Sequence, residues 1–221
     1  MKTLNDYILE KLKLSGKGSD MFVDMGLPSG IEWCKYNLGV DPSKLSKKDD
    51  WIGNYYAWGE TEPKETYELK NYAFYKEGST EYVSRYTSKD KNNSKNVLND
   101  KDDAANKTNK TWHTPSRIDY EELIGNCNVE YVKNYNDIDE LNGFIFTSKI
   151  NNEQLFFPLN KIYKESGHTN GKNDTRLWTN MYVGNAAYIL DIHQFNDKLM
   201  WVNASSAHER FTGMPIRPIK K

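Results

Sequence analysis

The sequence predicts an α+β fold, and three observations predict it. Helical periodicity is confined to short stretches, while many runs of five or six residues read as strands bounded by Gly, Pro and Asn. Aromatic residues make up 13% of the 221 residues, with 6 Trp and 15 Tyr. The mean hydropathy is −0.85, a value that suggests disorder, but disordered chains are poor in such rings. The core expected is therefore aromatic rather than aliphatic, built from short strands and long ordered loops.

In chain order, residues 3 to 14 read as an amphipathic helix. Thr3 caps it with Asp6 at N3, and Leu4, Ile8 and Leu12 form its stripe. Ser15-Gly16-Lys17-Gly18-Ser19 follows as a flexible linker. So short a helix is marginal alone, and its stripe either folds back on its own domain or docks on another protein. The isolating linker favours docking, so residues 1–20 are expected to be an anchor and 21–221 the domain. Residues 22 to 34 read as strand, Pro/Gly turn, strand. Gly53–Trp58 reads as an aromatic strand stopped by Gly59 and Pro63. Residues 87 to 111 read as a solvated, charged loop leading into a short helix around Leu98–Ala105.

The clearest helix follows Pro115. Ser116 is its N-cap and Asp119 occupies N3; Tyr120, Leu123 and Ile124 form the apolar stripe, and Gly125 is the expected terminator. Strands are then expected at Gly143–Thr147, Gln154–Pro158, Leu177–Tyr182, Ala187–His193, Leu199–Asn203 and Ile216–Ile219, with a turn at Asn196-Asp197. On Ala187–His193 one face carries Tyr188, Leu190 and Ile192 and the other Ile189, Asp191 and His193. Apolar residues on both faces predict a central, mostly buried strand.

Composition excludes several functions. Thirty basic against 31 acidic residues leave a net charge of −1, so nothing steers the chain to nucleic acid or an anionic membrane. No run reaches the 18 apolar residues of a membrane span, and the first 20 residues lack the apolar stretch of a secretory signal. His113, His168, His193 and His208 form no metal-ligand spacing, either with one another or with Cys34 and Cys127. Whether the two cysteines pair is open. Asp100 to Asp103 and Asn173-Asp174 offer oxygen ligands of the kind Ca²⁺ takes, although solvated loop acids are the commoner explanation. No P-loop, GxGxxG or GxSxG occurs, and neither metal nor cofactor is expected.

Gly53-Asn54-Tyr55-Tyr56-Ala57-Trp58-Gly59-Glu60-Thr61-Glu62-Pro63 puts three rings beside two carboxylates. On a strand, Glu60 and Glu62 share a face about 7 Å apart, a glycosidase-like separation. The segment is a turn with no third carboxylate placed to help, so a structural role is favoured. Trp178 to Arg210 is instead rich in Tyr, Trp, Asn, Ser and Arg, the residues of adaptable binding surfaces. The exposed binding candidates there are Trp178, Asn180, Tyr182, Asn185, Asn196, Trp201, Asn203, His208 and Arg210, with Trp201 as the anchor.

Several motifs together resemble a family. Val23–Trp33 is similar to the "VDLGLPSG..W" opening of the Fibrobacter succinogenes major paralogous domains of gut Bacteroidetes and their phages. Asn37-Leu38-Gly39 with Tyr55–Thr61 resembles "N.GA…YYAWGET". Asp103-Ala104-Ala105 with Trp112–Ser116 resembles "DAA…WRMPT". Leu155–Pro158, Leu177–Asn180 and Gly213–Ile219 resemble "IFLP", "YWSS" and "G..VRPV". The order is kept over residues 22 to 219. His113, Ser116 and Thr179-Asn180 depart from the family's residues conservatively.

The resemblance implies a C-type lectin-like domain with two short helices and a small twisted antiparallel sheet, a non-catalytic binding module rather than an enzyme. Formylglycine-making relatives of that fold use cysteines late in the chain, and here none follows Cys127. The iron triad of the sulfoxide-type members is also missing. It makes "GNYYAWGETEP" a recurring scaffold element. It also implies a homo-oligomeric virion protein of a phage that attaches to a host-surface glycan or protein through its late strands. Residues 1–20 would dock on another virion protein. A purely architectural virion component and a bacterial surface adhesin are the alternatives.

Overall fold

The computed structural model describes residues 21–78, 82–87, 96–164, 167–169, 173–196 and 199–221. The expected helix at 3–14, its linker and Asp197 of the expected turn lie outside them. The first hairpin forms as its Pro/Gly turn predicts: β1 (Phe22–Asp24) pairs antiparallel with β2 (Glu32–Cys34). Gly53–Trp58, expected as a strand, pairs only through Tyr56 with Met214. Gly53 adopts φ 79° there, and a Cβ would lie 2.6 Å from the Leu38 carbonyl oxygen, a conformation and a fit that favour glycine.

Two α-helices follow. α1 (Ala104–Thr108) is capped by Asp103, which accepts from the Ala105 N–H at 2.9 Å. α2 (Arg117–Asn126) opens on the expected reciprocal cap. Ser116 Oγ accepts from the Asp119 N–H at 3.1 Å, and Asp119 Oδ2 accepts from the Ser116 N–H at 2.7 Å. Tyr120 and Leu123 are fully buried, while Ile124 is half-buried. Gly125 does not end this helix, which runs one residue on until Cys127 turns extended.

β3 (Cys127–Val132), not anticipated from the sequence, pairs with β4 (Gly143–Ser148), which pairs with β5 (Gln154–Pro158). β6 (Ile162–Lys164) and β7 (Gly167–Thr169) form a small hairpin. β8 (Asp174–Val183), β9 (Ala186–Asn196) and β10 (Leu199–Glu209) form an antiparallel sheet with β9 in the middle, as its two apolar faces require. The closing strand β11 (Ile219–Lys220) is shorter than expected and pairs with β2, so the two ends of the described span meet in one sheet.

The β8–β9–β10 sheet lies between two cores. Leu177, Leu190 and Ile192 face one built around Trp33, Tyr120, Phe144 and Phe157. Trp178, Tyr182 and Ile189 face another built around Tyr56, Trp58, Tyr86 and Trp112. The second core is tied by indoles: Trp58 Nε1 donates to the Thr179 carbonyl at 2.8 Å, and Trp178 Nε1 to the Tyr56 carbonyl at 2.7 Å. Glu60 Oε1 accepts from the Ala73 N–H at 2.7 Å and pairs with Lys64. Glu62 is exposed. The "YYAWGE" stretch thus works as a strut, with one carboxylate holding a loop.

Candidate functional site

Three of the nine candidate residues are interior. Trp178 is 1% exposed, Tyr182 3% and Arg210 0%, which corrects the expectation that they face a ligand. Trp178 and Tyr182 stand on the side of β8 that the Trp58 core covers. Arg210 reaches inward after β10 ends. Its guanidinium lies 4.9 Å from the Trp58 ring centre and 4.7 Å from that of Tyr182. It donates to the carbonyls of Arg85, Tyr86, Gly184 and Ala186. A cation in the core needs such a cage, because an unpaired buried charge is prohibitively costly. Arg210 binds the fold together.

Four more are half-buried. The Asn180 backbone joins β8 to neighbouring loops through Pro115 and Leu98. The Asn185 carbonyl lies 3.5 Å from the Tyr82 hydroxyl. Asn203 Oδ1 accepts from the N–H groups of Ser205 and Ser206 at 2.8 and 2.9 Å, shaping the bulge in β10. His208 Nδ1 lies 3.1 Å from Thr212 Oγ1 and 3.0 Å from Glu209 Oε2. Burial holds its pKa below the usual imidazole value. Asn196 is exposed, and its side chain accepts from the Leu199 N–H at 3.0 Å.

Trp201 is 54% exposed, as expected of an anchor. It stands directly opposite His193, on whose ring Phe195, 62% exposed, stacks with centroids 5.9 Å apart. Leu199, beyond Trp201 on the same strand, is also exposed. The sequence reading missed Phe195 and the charged cluster beside it. The register Trp178↔Ile189, Arg176↔Asp191, Asp174↔His193 explains the cluster. That face of the sheet begins in the Trp58 core and runs out from under it, so apolar residues give way to charged ones.

The cluster is a closed network. Asp174 Oδ1 lies 2.8 Å from His193 Nδ1, and Asp191 Oδ1 lies 2.8 Å from His193 Nε2. Arg176 Nε meets Asp191 Oδ1 at 2.9 Å, and its Nη2 meets Asp174 Oδ2 at 3.3 Å. Each carboxylate has two basic partners, the arrangement that lets half-buried charges persist. Each strand carries an acid and a base spaced i, i+2, Asp174 with Arg176 on β8 and Asp191 with His193 on β9, but only register brings the two pairs together. The network sets a charged floor next to two exposed rings.

Among the described residues no group of three or more His, Cys, Asp or Glu side chains is placed to hold a metal ion. Three of the acids considered for Ca²⁺, Asp102, Asp103 and Asp174, have protein partners. Asp102 pairs with Arg85 and Tyr86, and Asp103 accepts from Thr114 Oγ1 at 2.6 Å. Both are buried, so the reading as solvated loop acids fails for these two, while Asp100 is exposed as that reading expects. No family model, curated protein or solved structure matches the chain.

Proposed function

We propose that the chain is a non-catalytic recognition module of the C-type lectin-like class, a component of a phage virion or of a bacterial surface. It binds its target, a host-surface glycan or protein, through the outer end of the β8–β9–β10 sheet. The motif order along residues 22 to 219 supports the class, as do two α-helices beside small antiparallel sheets. Residues 1–20 attach the module to its larger structure, and the module acts as a homo-oligomer. Those two points rest on the linker's composition and the resemblance.

The observation that carries the binding surface is the pairing of exposed Trp201 and Phe195 around His193. Large rings held by a rigid sheet lose little conformational entropy on binding, and such anchors dominate interface energies. An anchor of this kind contributes about 2 kcal/mol or more, roughly thirtyfold in affinity. The labelled full chain, incubated with cells of gut Bacteroidetes and with arrays of their surface glycans, should bind. Trp201→Ala with Phe195→Ala should weaken binding at least thirtyfold without moving the melting temperature. Undiminished binding by the double variant refutes the surface. No binding by the wild type to any cell or glycan refutes the recognition role in favour of an architectural one.

A further inference from the structure

Beyond Asp174, at the β8 end of the charged network, two adjoining cavities of about 390 and 570 Å³ share Asp49, Ile52 and Lys161 in their linings. Each is of the size that holds a small ligand. The larger is walled by Tyr55, Tyr67 and Tyr163, which lock one another in place. Tyr55 and Tyr163 meet edge to face with centroids 4.3 Å apart, and Tyr67 Oη donates to the Tyr55 carbonyl at 2.6 Å. Tyr67 is buried, whereas Tyr55 and Tyr163 remain partly open. Tyr56 enters the Trp58 core, and Tyr55 packs half-buried against the edge of the same core. Close approach of Gly213 seals the back of Tyr67, since a Cβ there would lie 2.7 Å from the ring.

The polar groups around these rings are balanced rather than of one sign. Lys48 is paired with Glu140, Lys64 with Glu60, and Asp174 with His193 and Arg176. Asp49, Glu65 and Lys161 carry no ion pair among the described residues. In the wall of the smaller cavity, Asn160 is 8% exposed. Its Oδ1 accepts from the Arg176 N–H at 3.2 Å, while its Nδ2 has no acceptor.

We propose that this groove, which adjoins the Asp174 end of the charged network but is lined by neither Trp201 nor Phe195, is a binding site for a neutral sugar. An anionic ligand would meet Asp49 and Glu65, a cationic one Lys161, and an apolar one would strip all three of water. A pyranose ring offers O–H groups to the two carboxylates and lone pairs to Lys161 Nζ. Its C–H face covers the open parts of Tyr55 and Tyr163. With the side-chain walls already packed, little ordering cost attends binding.

Saturation-transfer NMR on the full chain, with cellobiose, lactose, maltose and diacetylchitobiose at millimolar concentration, tests the site. At least one disaccharide should receive saturation. Lys161→Ala with Asp49→Ala, both exposed positions, should weaken that binding at least tenfold with the melting temperature unchanged. The Trp201→Ala, Phe195→Ala variant should bind the sugar as the wild type does. No transfer to any of the four sugars overturns the proposal, as does transfer that survives the groove variant. Loss only in the Trp201 variant would move sugar binding to the sheet and overturn the groove while leaving the recognition surface standing.

Discussion

Replacing Arg210 with Ala distinguishes a ligand contact from a core tie. The substitution removes a guanidinium that donates to four backbone carbonyls and lies against the Trp58 and Tyr182 rings. Hydrogen bonds from a charged donor contribute about 1.5–3 kcal/mol each, but desolvating the cation offsets much of that sum. What remains is the cost of leaving buried partners unmet, about 3–5 kcal/mol, by analogy with breaking a buried pair. In a domain of this size about 1 kcal/mol moves the melting temperature by 2–4 °C, so a fall of roughly 6–20 °C is expected. Thermal unfolding followed by circular dichroism would measure that fall and urea unfolding the free energy, with Trp201→Ala as the exposed control, expected within about 0.5 kcal/mol of wild type. An Arg210→Ala protein as stable as the wild type but unable to bind cells would refute the core assignment and return Arg210 to the binding surface.

Two further expectations concern titratable groups. Cys34 and Cys127 are free thiols, both buried and in different cores. Burial raises both thiol pKa values, that of Cys127 to about 11. A thiol-reactive reagent at pH 8 should therefore modify neither in the native chain and both in denaturant, and rapid native labelling would contradict the packing. His208 is held below the usual imidazole pKa by burial and by Lys164, and Glu209 beside it is held below the usual carboxylate range. A depressed folded pKa means stability that is present above the unfolded value and lost as pH falls. The urea midpoint should thus drop on acidification below about pH 6.5. His208→Gln should flatten the part of that slope that begins at about pH 6.5. An unchanged slope would show that His208 titrates freely.

Local chemistry determined a good deal of this protein. The cap at Ser116 and Asp119 was legible because both partners lie within one helical turn. The first hairpin was legible because Pro28 and Gly30 demand a turn there. β9 was recognisable as central from the apolar residues on both its faces, and Trp201 as exposed on a polar strand. The tertiary structure decided which rings and charges were surface. Trp178 and Arg210 look like binding residues in composition, yet one faces a core and the other is caged by carbonyls from loops far away in sequence. β3 was missed because an edge strand of mixed polarity carries little periodic signal until β4 pairs with it. The Asp174–Arg176–Asp191–His193 network and the tyrosine-walled groove depend on strand register and on segments about a hundred residues apart. Side chains in such sites are chosen by where the chain returns, and that is set by packing across the whole fold rather than by neighbours in sequence.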